Sequence, residues 1–289
     1  MAVILAKNLK KNYGRNTGIK DVSFSADEGD IFGFAGPNGA GKSTVIRILM
    51  NNIYADSGTA EIKGLSCASD SKKIKEFTGY VPCDVRMYPD LRVSELLRVN
   101  AGFYKKDLRD ETERLLALFG LDEKKRFREL SAGNRKKTAL VCALSPQPGV
   151  LILDEPAAGL DPLVQAVLFE ELKKRAAEGA CIMLSSHSLS DIQEYCSKAA
   201  FIHRGEILSI TELNEKTLRK RKAVSFTGGN PPENTEVTYR DSGIKEFYTS
   251  RDGQELISML SEINPDSFTV ENESIEDRFM TLYKGEYEK

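Results

Sequence analysis

Residues 36–44 read Gly-Pro-Asn-Gly-Ala-Gly-Lys-Ser-Thr, a full match to the pattern G-x-x-x-x-G-K-[ST]. Glycines at 36, 39 and 41 let a backbone wrap closely around a polyphosphate, and a helix that starts there aims its unpaired N–H groups at the anion. Lys42 adds a point charge for the β- and γ-phosphates, and the Ser43 hydroxyl is placed to ligate Mg²⁺. Gly36, Asn38, Gly39, Ala40, Gly41 and Thr44 supply the rest of the cradle. A second group lies at residues 151–156, Leu-Ile-Leu-Asp-Glu-Pro. A buried strand ending in two carboxylates puts them at the carboxyl edge of a sheet, where α/β sites form. Asp154 is suited to hold the Mg²⁺ that bridges the phosphates, and Glu155 to orient and deprotonate a water attacking the γ-phosphate. Alone, an apolar run ending in Asp-Glu is usually a strand meeting a solvated turn. The phosphate pattern upstream selects the chemical reading, and together they predict a nucleoside triphosphate site.

The elements that must position these residues are legible around them. An apolar run at 31–35 precedes the loop, and Val45, Ile46, Leu49 and Met50 share one face of a helix after it. Residues 3–6, 22–25 and 58–62 have strand-like content. Residues 93–144 turn helical, rich in Leu, Arg, Glu and Lys, and read as an inserted subdomain. Residues 150–153 and 181–185 are apolar runs of the kind expected of strands buried on both faces, with a helix over 162–177 between them. Strands alternating with helices predict a mostly parallel α/β sheet.

A basic run at 218–222 and the loop signal Gly228-Gly229-Asn230-Pro231-Pro232 mark a break. Beyond it, strand-like 236–239, helix-like 254–263, strand-like 267–270 and helix-like 274–283 predict a small α/β appendage. We therefore place an ATPase domain at 1–218, its helical subdomain at about 85–145, and an accessory domain at 223–289.

Bulk properties narrow the field. The 289 residues are 40% hydrophobic and 29% charged, with a net charge of −2, which gives no support to a nucleic-acid partner bound by bulk charge. No stretch approaches the ~20 apolar residues of a membrane helix, and the opening run Met-Ala-Val-Ile-Leu-Ala reads as a strand rather than a signal peptide. Five cysteines, at 67, 83, 142, 181 and 196, are scattered without C-x-x-C spacing, so small thiols in a reducing, cytoplasmic compartment are expected.

Residues 130–135, Leu-Ser-Ala-Gly-Asn-Arg, open a helix, and read locally Ser131 is its N-cap. Here the chain resembles a known family, the ATP-binding subunits of ABC transporters. Their signature L-S-G-G-Q lies between the phosphate loop and the acidic strand, as this segment does. The wording of residues 36–44 and of 154–162, Asp-Glu-Pro-Ala-Ala-Gly-Leu-Asp-Pro, is also typical of that family, and the resemblance covers residues 1 to about 215.

It implies an α/β fold: a P-loop NTPase core with a mixed, mostly parallel sheet, an N-terminal antiparallel β portion, the inserted helical subdomain and the C-terminal appendage. It implies that Tyr13 stacks on adenine (the alternative is a core tyrosine), that Ser131 and Gly133 meet the γ-phosphate of another subunit's ATP, that Asp161 crosses the subunit boundary, and that His187 contacts the γ-phosphate. His203 reads as a hairpin residue with no assigned task.

Two departures stand out. The family usually has Gln after Gly-Tyr-Val-Pro, in the loop that senses Mg²⁺, where this chain has Cys83-Asp84. A thiol is a poor ligand for a hard cation, so either Asp84 supplies the contact or the contact is missing. The signature also carries Ala132 for Gly and Asn134 for Gln.

The resemblance implies ATP and Mg²⁺ as ligands and a hydrolase that clamps ATP between two nucleotide-binding subunits, identical or closely related. It also implies a separate integral-membrane permease as partner, a place at the cytoplasmic face of the membrane, and export rather than import. The alternatives are a soluble ABC-type ATPase and a regulatory subunit with weak hydrolysis.

Overall fold

The computed structural model describes residues 2–14, 16–213, 221–232, 235, 237–239, 243–274, 277 and 279. Two compact units divide the chain, residues 1–211 and 212–289. The basic run at 218–222 lies largely outside the described residues, as does most of the helix expected over 274–283.

The larger unit opens with β1 (Ala2–Tyr13), β2 (Asn16–Asp27) and β3 (Ile31–Ala35), then α1 (Lys42–Leu49), β4 (Ser57–Ile62), β5 (Leu65–Ser66), α2 (Ser71–Glu76) and β6 (Thr78–Val81). Three helices follow, α3 (Val93–Ala101), α4 (Arg109–Phe119) and α5 (Ala132–Leu144). The chain then alternates through β7 (Val150–Asp154), α6 (Pro162–Ala177), β8 (Cys181–Ser186), α7 (Leu189–Tyr195), β9 (Lys198–His203) and β10 (Glu206–Glu212).

Among the described residues one ten-stranded sheet runs β5-β4-β1-β2-β10-β9-β3-β8-β7-β6. From β9 to β6 all neighbours are parallel. The N-terminal strands β1, β2, β4 and β5 pair antiparallel, and a single parallel register, Glu206 opposite Asp21, joins them to the rest. The fold is the mixed sheet with an antiparallel N-terminal portion that the sequence led us to expect. The apolar runs are apolar because helices cover both faces: every residue of β3, β7 and β8 is buried. Phe24, Phe32 and Phe34 stack at the centre, with Phe24 centroids 5.2 and 5.4 Å from the other two rings.

The helix ends are written locally. Asp161 caps α6, accepting from Val164 N at 3.1 Å with Pro162 in the first turn, and Ser131 caps α5, accepting from Asn134 N at 3.3 Å. Arg204 and Gly205, at φ 46° and 83°, turn β9 into β10, which is the hairpin expected around His203.

The inserted helices are held to the core by an alternating charge cluster. Arg114 of α4 reaches Glu171 of α6 at 2.6 and 3.1 Å and Glu111 at 2.8 and 2.9 Å, while Arg175 of α6 donates to Glu171 at 2.8 Å and to Glu111. Glu171 and Arg175 are buried. Removing one partner of a buried pair leaves the other uncompensated. We expect Glu171→Ala to destabilise this unit by about 3 kcal/mol, seen as a lower first transition in thermal unfolding of the full chain.

Burial raises the pKa of the Glu111 carboxyl, but hydrogen bonds from Arg114 and Arg175 outweigh it and hold the group below its usual range. A depressed carboxylate stabilises the fold above its unfolded pKa and loses that contribution as pH falls through its folded value. Acid should therefore loosen the α4–α6 contact.

The smaller unit holds β11 (Lys222–Thr227), β12 (Thr238–Tyr239), β13 (Lys245–Thr249), α8 (Gly253–Ile263) and β14 (Ser267–Asn272). Its sheet, ordered β12-β13-β11-β14, is antiparallel throughout. Leu256, Met259, Leu260 and Ile263 of α8 pack with Val224, Phe226 and Phe247. No helix among the described residues is long and apolar enough to cross a membrane.

Candidate nucleotide site

The chain leaves β3 at Ala35 and makes the loop 36–41 before α1 begins at Lys42. Gly41, the N-cap of α1, lies in the left-handed region at φ 112°, and a Cβ there would stand 2.7 Å from both the Gly18 carbonyl oxygen and Ile19 Cγ2. Only glycine meets both conditions. The first turn of α1, whose N–H groups have no partner within the helix, borders a cavity of about 280 Å³ lined by Tyr13, Gly18, residues 37–44, Cys83 and Glu155. The structure thus places Tyr13, Asn38, Gly39, Ala40, Gly41, Lys42, Ser43 and Thr44 around one cavity, with Gly36 one residue outside the lining. Tyr13 is 45% exposed, so its ring offers an open face at the mouth of the cavity rather than a place in the core.

Lys42 is buried, and its Nζ donates to the carbonyls of Gly36 at 2.6 Å and Pro37 at 3.4 Å. The same Nζ lies 3.4 Å from Glu155 Oε1. Strand β7 delivers Asp154, 2% exposed, whose Oδ1 accepts from Ser43 Oγ at 3.2 Å and from Ser185 Oγ at 2.6 Å. Next along, Glu155 sits at φ 49°, a left-handed conformation that costs a residue with a side chain on the order of 1–3 kcal/mol. Its N–H donates to Ser185 Oγ at 3.0 Å, and its Oε2 lies 2.8 Å from His187 Nδ1. Glu155 therefore stands between the cation of the phosphate loop and the imidazole after β8. It also lines a second cavity of about 300 Å³ with His187, Gln165 and Asp191.

The donor set fits Mg·ATP. Ser43 and Asp154 present hard oxygens at the start of α1. Two protein oxygens leave most of the six positions of a Mg²⁺ shell to water and phosphate oxygens.

Three expected residues lie elsewhere, and a fourth, Asp84, does not reach the site. Its carboxylate is 70% exposed and paired with Arg86 at 2.7 Å, a cation two residues away that the backbone turns toward it. Cys83 faces the cavity instead. Ser131, Gly133 and Asp161 do not line their own chain's cradle. Gly133 packs so closely on the loop after Glu155 that a Cβ would come within 2.8 Å of the Gly159 carbonyl oxygen.

Cys83 is the exposed thiol; the others are buried or half-buried. Burial and the neighbouring Asp154 charge push its pKa up, so its reaction with maleimide should quicken above neutral pH. Mg·ATP in the cradle should slow that reaction several-fold, followed by mass spectrometry; an unprotected Cys83 would place the phosphates elsewhere.

Sequence reasoning missed Ser185 and Lys136. Ser185 ends an apolar run with a hydroxyl, a weak signal. Lys136 is buried on α5, where its Nζ meets the carbonyls of Pro82, Cys83 and Asp154. The basic stretch at 135–137 reads as a solvated helix face and gives no hint of this.

A phosphate loop entering a helix from a buried parallel strand, facing an acidic strand end across the sheet, defines a P-loop NTPase. Inserted helices after β6 and an antiparallel N-terminal arm narrow this to an ATP-binding cassette. The sequence profile described as "ABC transporter" matches residues 19–158. The linearmycin resistance ATP-binding protein LnrL of Bacillus subtilis is 32% identical over 251 residues, covering 85% of this chain and 77% of the relative. The bacitracin transport ATP-binding protein BcrA of Bacillus licheniformis is 29% identical over 304 residues, covering 98% of each. The solved structure of an ATP binding subunit of an ABC transporter superposes with a TM-score of 0.68 at 31% identity, covering 73% of this chain and 90% of that one. The chain belongs to the ABC transporter family and is one of its ATP-binding ATPases.

Proposed function

We propose that this chain energises a membrane transporter by clamping Mg·ATP between two nucleotide-binding subunits and releasing them on hydrolysis. The observation that carries this reading is the separation of Ser131 and Gly133 from the cradle of their own chain, which leaves the start of α5 free to close over a partner's phosphates. A helix start with a capping serine is a ready anion site.

Adenine stacks on Tyr13, and the phosphates lie on the amides of 38–44. Lys42, drawn to the β- and γ-phosphates, leaves Glu155, which it otherwise neutralises. Mg²⁺ is held by Ser43 and Asp154. The freed Glu155 carboxylate, oriented by His187, takes a proton from water as its oxygen bonds the γ-phosphorus. The bond to the β–γ bridging oxygen breaks, leaving ADP and phosphate. His187, 63% exposed, is open to a γ-phosphate contact as well. Domain limits of 1–218 and 223–289 belong to the same proposal.

The names of the relatives, one a resistance protein and one a transport protein, support export; a separate permease as partner and a place at the cytoplasmic face of the membrane belong to the same reading. The test is the oligomeric state of Glu155→Gln by light scattering. Saturating Mg·ATP should convert monomer to dimer, and dilution or exchange into ADP should reverse it. A variant that stays monomeric with ATP bound removes the clamp.

A further inference from the structure

We propose that Lys136 is a positioning residue for Glu155, so that α5 sets the aim of the base through the peptide unit joining residues 154 and 155. The proposal rests on the reading of Glu155 as the base. Lys136 is 4% exposed, and its ammonium donates to the carbonyls of Cys83 at 2.9 Å, Pro82 at 3.1 Å and Asp154 at 3.5 Å. No carboxylate among the described residues lies within ion-pair distance of it. A buried cation with no carboxylate in direct contact is costly even with Asp154 and Glu155 nearby, whereas an uncharged stem of similar length would pack there without that penalty. Its contacts are therefore what distinguishes this position.

One contact bears on the chemistry. The peptide unit between Asp154 and Glu155 is planar. Its carbonyl accepts from Lys136, and its N–H donates to Ser185 Oγ at 3.0 Å. Held at both ends, the plane resists rotation about the line between its two α-carbons. That rotation sets ψ of Asp154 and φ of Glu155, and φ of Glu155 is the strained value of 49°. With the carbonyl released, Glu155 has an unstrained conformation to relax into, which swings its carboxylate away from Lys42 and His187. The two remaining acceptors belong to the loop after β6, where Cys83 replaces the usual glutamine. One cation thus joins the signature helix, this loop and the base.

The experiment compares the full-length parent, Lys136→Met, Glu155→Gln and the double variant in steady-state phosphate release, ATP affinity, ATP-driven dimerisation and melting. Methionine keeps the unbranched stem and removes the ammonium. Lys136→Met should lower kcat by about 10- to 100-fold, with KM, ATP affinity and melting temperature at or above parental values. Because Lys136 acts through Glu155, adding Lys136→Met to Glu155→Gln should lower kcat little further and leave the dimer intact. A parental kcat in Lys136→Met overturns the proposal, as does a loss that multiplies fully with Glu155→Gln or that tracks lost ATP affinity or dimerisation. Parental turnover by Glu155→Gln alone would instead sink the assignment of the base, and is read separately.

Discussion

Glu155→Gln is expected to lower kcat by about 10²–10⁴-fold while binding ATP as tightly as the parent or more so. Glutamine keeps the shape of the side chain and can still meet His187 Nδ1 and Lys42 Nζ, which the parent places 2.8 and 3.4 Å from the two carboxylate oxygens. What it cannot do is take a proton from water. The loss should thus appear in turnover rather than in binding, because the neutral amide does not repel the incoming phosphates and competes with them less for Lys42. A truncation to Ala would remove the polar contacts to Lys42 and His187 as well as the base, and so mix lost shape with lost chemistry. Steady-state phosphate release and equilibrium binding of a fluorescent ATP analogue separate the two effects. Parental turnover would remove Glu155 from the chemistry, whatever its geometry.

Lys42→Ala is expected to weaken ATP binding by about 10- to 100-fold, the range for losing a hydrogen-bonded charge from a buried anion site. Two effects act in the same direction. The phosphates lose their point charge, and Glu155 loses the cation 3.4 Å away, so an unneutralised carboxylate faces the incoming anion. The loop should lose the Lys42 hydrogen bonds to the Gly36 and Pro37 carbonyls but keep its turn, which Gly41 at φ 112° and the close approach of Gly18 and Ile19 also set. Folding should therefore change little and affinity much, with titration calorimetry as the check. Unchanged affinity would contradict the placement of the triphosphate on residues 36–44.

Much of the site was written in short stretches. The phosphate loop, the Asp-Glu pair and the capping residues Ser131 and Asp161 each act within a few residues of themselves, which is why the expected limits of α6, 162–177, coincide with those observed. The doubly buried strands announced themselves by composition for the same reason: β7 and β8 must be apolar on both faces wherever they pair. In the smaller unit α8 and β14 were legible, whereas β11 and β13 were not. Strands such as Lys222–Thr227 and Lys245–Thr249 mix polar and apolar residues, and take their meaning from the partner that pairs with them.

Other features appeared only in three dimensions. Asp84 and Cys83 are adjacent in the chain, yet the turn after β6 sends one to Arg86 and the other into the cradle. Ser185 and Lys136 come from elements 31 and 18 residues from Asp154, and they meet its oxygens because β7 and β8 are neighbours and α5 crosses the end of β6. The amino-acid sequence by itself determined which groups this ATPase can offer to a triphosphate, since a loop, a cap or a buried run is decided by its own few residues. Tertiary structure alone decided which of those groups face one another, because strand order and helix placement are settled by long-range packing, and only that packing brings Lys42, Glu155, His187 and Lys136 to a common point.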